Sequence, residues 1–341
     1  MSERYPGYGA AVAAVDLARG LRDVVARALG DAAVGVEGLR RLSGGASRET
    51  WSFEARRADG TTSGLVLRRD PPGAPGSGMG REARLLSAAA AAGVPVPGIV
   101  AAGDDPADLG SSFIVMERVE GETIPRHILR DDAFAPVRPR LAAQCGEALA
   151  AIHRIPPAEV PGLEHPDQVE AFRAVLDQLG EPHPTFEIGF RWLEAHRVGE
   201  QRTVVVHGDF RNGNLIVGRD GIRAVLDWEL AHLGDPMEDL GWLCVKSWRF
   251  GQPLPVGGFG SYEQLLDAYE RASGAPVDRA ALRWWETLGT LKWGIMCIMQ
   301  AATHTSGAVR SVELAAIGRR VCEVEWDLLA LVAPGPVPVL A

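Results

Sequence analysis

Near residue 121 the apolar periodicity of this sequence changes, and that change limits the architectures open to the chain. Before it, short strand-like runs at 36–42, 49–55, 64–69, 97–102 and 112–119 are separated by turns and loops rich in Gly and Pro. Two helical patterns accompany them, at 12–29 (Val12, Val15, Leu21, Val24, Val25, Leu29, ending at Gly30) and at 81–92. Beyond residue 121 the spacing becomes helical at 141–154, 167–179, 186–197 and 279–303. One β-rich island, 203–227, interrupts these helices, with strand-like 204–206, 215–217 and 224–226. Strands first and helices afterwards predict an α+β chain with a small antiparallel sheet carrying one inserted helix, followed by a larger, mainly helical part. The expected division is 1–118, a connector at 119–121, a helical part over 122–333, and a loose Pro-containing tail at 334–341.

Composition removes several classes of function. Of 35 basic residues only Lys246 and Lys292 are lysines, so the first 245 residues can supply neither a Schiff-base lysine nor a lysine-bearing P-loop. A net charge of −9 argues against a general nucleic-acid or anionic-membrane binder. Cys145, Cys244, Cys297 and Cys322 form no CxxC pair, which argues against a metal cluster or a disulfide framework and suits a reducing cytoplasm. Charges at Glu3, Asp16, Arg19, Arg22 and Asp23 leave no signal-peptide core, and the apolar run 85–102 is broken by Gly93, Pro95, Pro97 and Gly98. A cytoplasmic location, without a membrane partner, is expected.

The segment His207-Gly208-Asp209-Phe210-Arg211-Asn212-Gly213-Asn214 runs into the strand-like Leu215-Ile216-Val217. It fits H-x-D-x-x-x-x-N, the pattern of a kinase catalytic loop, in which the Asp accepts a proton from the substrate hydroxyl and the Asn offers an oxygen to a metal ion. One hairpin later Asp227 ends a strand-like run, in the position of a second metal ligand. Phosphoryl transfer needs such a set because charge on the transferred oxygens is neutralised by hard cations held on carboxylate and amide oxygens.

In these and further motifs the chain resembles the aminoglycoside phosphotransferase family, small-molecule kinases related in fold to protein kinases. The matching motifs are His207-Gly208-Asp209 with Asn214, Leu226-Asp227-Trp228-Glu229, and Gly234-Asp235-Pro236 with Asp239-Leu240. In its first half, Ser43-Gly44-Gly45, Leu67-Arg68, Arg81-Glu82, Val94-Pro95-Val96-Pro97 and Met116-Glu117 are most similar to the kinase-like domain fused to some acyl-CoA dehydrogenases. The resemblance implies a two-lobed protein-kinase-like fold using ATP or GTP and Mg²⁺, with a small-molecule alcohol as acceptor. It implies Asp209 as catalytic base, Arg211 near the γ-phosphate, and Asn214 and Asp227 on the metal. Strand alternation puts Val66 and Arg68 on one face; the resemblance sets Val66 beside adenine and Arg68 on the phosphates, with Glu82 as the ion-pair partner of Arg68. Gly44, Gly45 and Ser47 would cover the phosphates, and the Glu117 carbonyl and Val119 amide would pair with adenine. His207 is expected to buttress the loop, Asp239 to brace it, and His153 to sit in the core.

Three readings remain open at this level. The first is a kinase for a metabolite alcohol, or for an aminoglycoside. The second is a non-catalytic nucleotide-binding protein, suggested by the degenerate glycine turn and by arginine in place of lysine. The third is a metal-dependent hydrolase using His207, Asp209, His232 and Asp235. The short link between Asp227 and Gly234 leaves no room for a protein-kinase activation segment.

Overall fold

The computed structural model describes residues 6–42, 48–71, 78–199 and 202–333, with side chains from Leu17 onward. The turn carrying Gly44, Gly45 and Ser47, and the tail 334–341, lie outside the described residues. The chain forms two compact units, 1–91 with 96–120, and 92–95 with 121–341.

The first unit opens with α1 (Pro6–Leu29) and continues through β1 (Gly35–Arg41), β2 (Glu49–Arg56), β3 (Thr62–Arg69), α2 (Met79–Ala91), β4 (Ile99–Gly103), the single turn α3 (Pro106–Leu109) and β5 (Phe113–Glu117). The strands make one antiparallel sheet in the order β1-β2-β3-β5-β4. Period-two alternation gives that sheet two different faces. Phe53, Ala55, Leu65, Leu67, Phe113 and Val115 pack under Leu17, Leu21, Val24 and Val25 of α1. On the other face Val66, Ile114 and Met116 pack with Met79 and Ala83 of α2. Burying a Leu or Phe side chain contributes about 1.5–3 kcal/mol, so α1 is a main support of the sheet.

The second unit contains α4 (Pro125–Arg130), α5 (Arg138–Ile152), α6 (Gln168–Leu179), α7 (Pro184–Ala195), β6 (Val204–Val206), β7 (Leu215–Gly218), β8 (Gly221–Val225), β9 (His232–Gly234), α8 (Pro236–Cys244), α9 (Tyr262–Ser273), α10 (Arg279–Thr305), α11 (Val312–Gly318) and α12 (Val321–Val332). Asp167, Asp235 and Asp278 cap α6, α8 and α10 through backbone N–H groups, and Ser261 with Gln264 closes a capping box on α9. α5 and α9 approach closely because Gly146 has no side chain; a Cβ there would stand 2.5 Å from the Leu265 carbonyl oxygen. The 27-residue α10 carries Leu288, Leu291 and Ile295 into a core shared with α7 and α12. Among the described residues no helix is long and apolar enough to cross a membrane.

The β island departs from the sequence reading in two respects. β8 ends at Val225, so Leu226 and Asp227 lie beyond it, and β9 pairs antiparallel with β6. Three residues are too few to show alternation, which is why β9 left no sequence signal.

Candidate active site

Strand β6 delivers the chain into the loop 207–214, and β7 takes it away. Gly208 adopts φ +79°, and a Cβ there would meet the Leu230 carbonyl oxygen at 2.4 Å. Only glycine fits that approach. Phe210 is fully buried and meets the His207 ring edge-on, while Trp228 tilts over the same ring.

His207 is held by both ring nitrogens. Nδ1 accepts the Asp209 N–H at 3.2 Å, so Nε2 carries the proton and donates to the Leu226 carbonyl at 3.0 Å. Burial lowers its pKa below the ordinary histidine value, outweighing the nearby carboxylates. The ring is therefore a neutral strut between the loop and the segment that carries Asp227.

Asp239, in the first turn of α8, accepts the backbone N–H groups of His207 at 2.7 Å and Gly208 at 2.9 Å. A buried hydrogen-bond chain stands behind it. Arg202 donates to the Tyr269 hydroxyl at 3.2 Å, Tyr269 to His153 Nδ1 at 2.8 Å, and His153 Nε2 to Asp239 at 3.2 Å. Burial opposes the charge on Asp239, but the His153 hydrogen bond, with His207, holds its carboxyl below the usual carboxylate value. His153 is a core residue, as the sequence suggests, and also a link in this brace.

Three donors converge on the Asp209 carboxylate. Arg211 Nε lies 3.0 and 3.2 Å from its two oxygens, Asn214 Nδ2 donates to Oδ2 at 2.6 Å, and Trp242 Nε1 donates to Oδ1 at 2.8 Å. Trp242 was not legible as a partner, because nothing in a helical Trp-Leu-Cys indicates which side chain reaches back to the loop. The Arg211 guanidinium lies over the Trp248 ring at 4.7 Å, and its terminal nitrogens make no hydrogen bond among the described residues. Trp242, Trp248 and Trp293 form one aromatic cluster.

The amide orientation of Asn214 bears on metal binding. Nδ2 is taken up by the Asp209 carbonyl and carboxylate, which leaves Oδ1 without a hydrogen bond among the described residues. The Asn214 carbonyl accepts the Leu226 N–H at 2.8 Å, so Asp227 stands one residue beyond a direct cross-strand partner. Asp227 adopts φ +66°, a left-handed conformation uncommon outside glycine. The Asn214 amide oxygen and the Asp227 carboxylate are hard oxygen donors, the chemistry that could hold a divalent cation.

In the first unit, Arg68 Nη1 donates to Glu82 Oε1 at 2.5 Å, which brings together the two side chains paired in the sequence reading. Arg48, missed there because it follows the glycine turn without a motif of its own, donates to the other oxygen of Glu82. Glu82 is buried, with both carboxylate oxygens gripped by guanidinium groups. Val66 and Arg68 share the α2 face of β3, half-buried. Glu117 ends β5, and the Val119 N–H makes no hydrogen bond among the described residues.

The hydrolase set does not assemble. Both nitrogens of His207 are committed, His232 contacts the Leu230 carbonyl, Glu238 and Gln168, and Asp235 caps α8. No group of three or more His, Cys, Asp or Glu side chains able to hold a metal occurs among the described residues.

The five-stranded sheet with its helices, followed by the mainly helical unit that carries the H-x-D-x₄-N loop, is a kinase-like fold. The model of the phosphotransferase enzyme family matches residues 38–285, and the chain belongs to that family. Acyl-CoA dehydrogenase family member 10 of Mus musculus is 32% identical over 199 residues, which cover 53% of this chain and 18% of that protein. The chain thus spans less than a fifth of that relative's length. A putative aminoglycoside phosphotransferase from Ralstonia eutropha superposes with a TM-score of 0.73 at 22% identity, covering 92% of this chain and 97% of that one. A spectinomycin phosphotransferase solved with ADP and spectinomycin gives 0.62 at 12% identity, covering 92% and 98%. At these identities the two structures show the fold alone.

Proposed function

We propose that the protein is an ATP-dependent small-molecule kinase that phosphorylates the hydroxyl of a metabolite alcohol. The observation that carries this reading is the Asp209 carboxylate, oriented by Arg211, Asn214 and Trp242 while the Asn214 amide oxygen faces no partner. Asp209 accepts the hydroxyl proton as the alcohol oxygen attacks the γ-phosphorus. Arg211, fixed by Trp248, presents its terminal nitrogens to the transferring phosphoryl group. Asn214 and Asp227 would hold Mg²⁺, which neutralises charge on the phosphate oxygens when bound.

In the first unit, Arg68 would bind the α/β-phosphates with Glu82 and Arg48 fixing its position. Val66 would flank adenine, and the unbonded Val119 N–H with the Glu117 carbonyl would pair with its edge. Gly44, Gly45 and Ser47 would cover the phosphates. The bound ADP of the spectinomycin phosphotransferase supports nucleotide use.

The test is Asp209→Asn, assayed for ADP release against a panel of small alcohols. ATP binding should persist while turnover falls by about 10²–10⁴-fold. A parent protein that binds MgATP and turns over none of the alcohols would favour the non-catalytic reading instead.

A further inference from the structure

Lys292 is one of only two lysines in the chain, and it is buried in α10. An ammonium group is rarely taken out of water unless something compensates its charge. Here it meets one carboxylate, Glu238 Oε1 at 3.6 Å, and two aromatic rings, Phe172 of α6 at 5.5 Å and Trp242 of α8 at 5.1 Å from the ring centres. Trp242 is the residue whose Nε1 donates to Asp209 Oδ1 at 2.8 Å. A buried cation therefore lies on the ring that holds the proposed base.

The local sequence produces this arrangement. Glu238 and Trp242 are four residues apart on α8 and so share one face of that helix. Two glycines let α8 and α10 approach closely there. A Cβ on Gly241 would stand 2.7 Å from the Glu286 backbone nitrogen, and one on Gly289 would stand 3.2 Å from Trp242 Cε3.

Two other roles for Lys292 fit less well. A lysine that binds substrate needs an open site, but the cavity it lines with Gln168, Glu238, Trp242 and Trp285 holds about 10 Å³, room for about one water. A lysine kept only to neutralise Glu238 would be redundant, because His232 Nε2 already lies 3.0 Å from Glu238 Oε2. Burial opposes charge on His232, but the Glu238 hydrogen bond raises its pKa above the ordinary histidine value. The contact that remains to be accounted for is the one with Trp242.

We propose that Lys292 is a positioning residue for phosphoryl transfer, its ammonium group clamping the Trp242 indole so that Nε1–H stays on the Asp209 carboxylate. A cation over an aromatic face is held by the ring quadrupole, and it draws π density toward itself, which leaves the indole N–H a stronger donor. The effect on turnover rests on the kinase reading above, whereas the effect on the indole does not.

The experiment uses the full chain and Lys292→Met, which keeps the length of the side chain and removes its charge. Lys292→Gln serves as a second uncharged variant that can still hydrogen-bond Glu238. ADP release is measured with MgATP and a panel of small alcohols. In parallel, ¹⁵N-tryptophan spectra follow the Trp242 indole N–H, assigned as the signal missing from Trp242→Phe. Lys292→Met should lower kcat by about two- to thirtyfold with the Michaelis constant for ATP within about twofold. The Trp242 N–H signal should move upfield and exchange faster with water. In a Trp242→Phe background the same substitution should cost less than about twofold, since no N–H is left to hold. An unmoved indole signal, an unchanged kcat, a full-sized loss in the Trp242→Phe background, or loss of the fold in both uncharged variants overturns the proposal. A shifted indole signal in a protein that phosphorylates no alcohol keeps Lys292 on Trp242 and removes the kinase reading instead.

Discussion

His207 donates its Nε2 proton to the carbonyl of Leu226 at 3.0 Å, and together with the Leu226 N–H on the Asn214 carbonyl this bond ties the loop of Asp209 to the segment of Asp227. Because the same ring accepts the Asp209 N–H, one neutral imidazole bridges the backbone of the proposed base to the residue before the proposed metal ligand. The ring must stay neutral to do this, and pH therefore tests it.

The folded-state pKa of His207 is lowered, so between that value and the unfolded value near 6.5 the unfolded chain binds more protons. Stability from the neutral ring is present above about pH 6.5 and is lost as pH falls toward the folded pKa. Urea denaturation of the parent and His207→Gln should show the parent's advantage shrinking as pH falls from about 7 through the unfolded-state value near 6.5. A constant difference across that interval would mean the ring does not titrate this way.

Trp242→Phe keeps an aromatic ring in the tryptophan cluster and removes one N–H donor from Asp209. Hydrogen bonds to charged groups are worth about 1.5–3 kcal/mol, so kcat should drop about tenfold or more. The Michaelis constant for ATP should stay within about twofold, since the indole acts on the carboxylate. A drop confined to the Michaelis constant would assign Trp242 to substrate binding.

Asp227 sits at φ +66°, a conformation that glycine adopts freely. Asp227→Gly should leave folding stability within about 1 kcal/mol of the parent, or slightly above it, while turnover falls by about 10²-fold or more. Thermal or urea denaturation with parallel ADP-release assays reads both. Large destabilisation would show that the carboxylate holds the fold rather than a cation.

Arg68→Ala should raise the Michaelis constant for ATP by about ten- to a hundredfold, the loss of a charge-assisted hydrogen bond to phosphate. Arg48→Ala should have a smaller effect, because Arg48 acts through Glu82. Equal effects of the two substitutions would mean that both arginines touch nucleotide.

Much of this site was readable in advance because its elements depend on local sequence. The H-x-D-x₄-N spacing fixes a turn between two strands, and Arg68, two residues after Val66 in a two-sided strand, must share its face. The Glu82 partnership came from resemblance and is present as a 2.5 Å bond. What escaped the sequence is long-range. Arg48 on Glu82, Trp242 on Asp209, and the path from Arg202 through Tyr269 and His153 to Asp239 join residues brought near one another only by the packing of helices. β9 escaped for the opposite reason, being too short to carry a period.

The double guanidinium grip on Glu82 has a practical consequence for anyone profiling nucleotide-binding proteins. Reagents that acylate an amine beside a bound triphosphate find none in this unit, since the chain has no lysine before Lys246. If Arg68 binds the phosphates as proposed, a lysine-directed label would find no lysine in this unit to mark, whereas a dicarbonyl reagent specific for arginine would react there in competition with ATP.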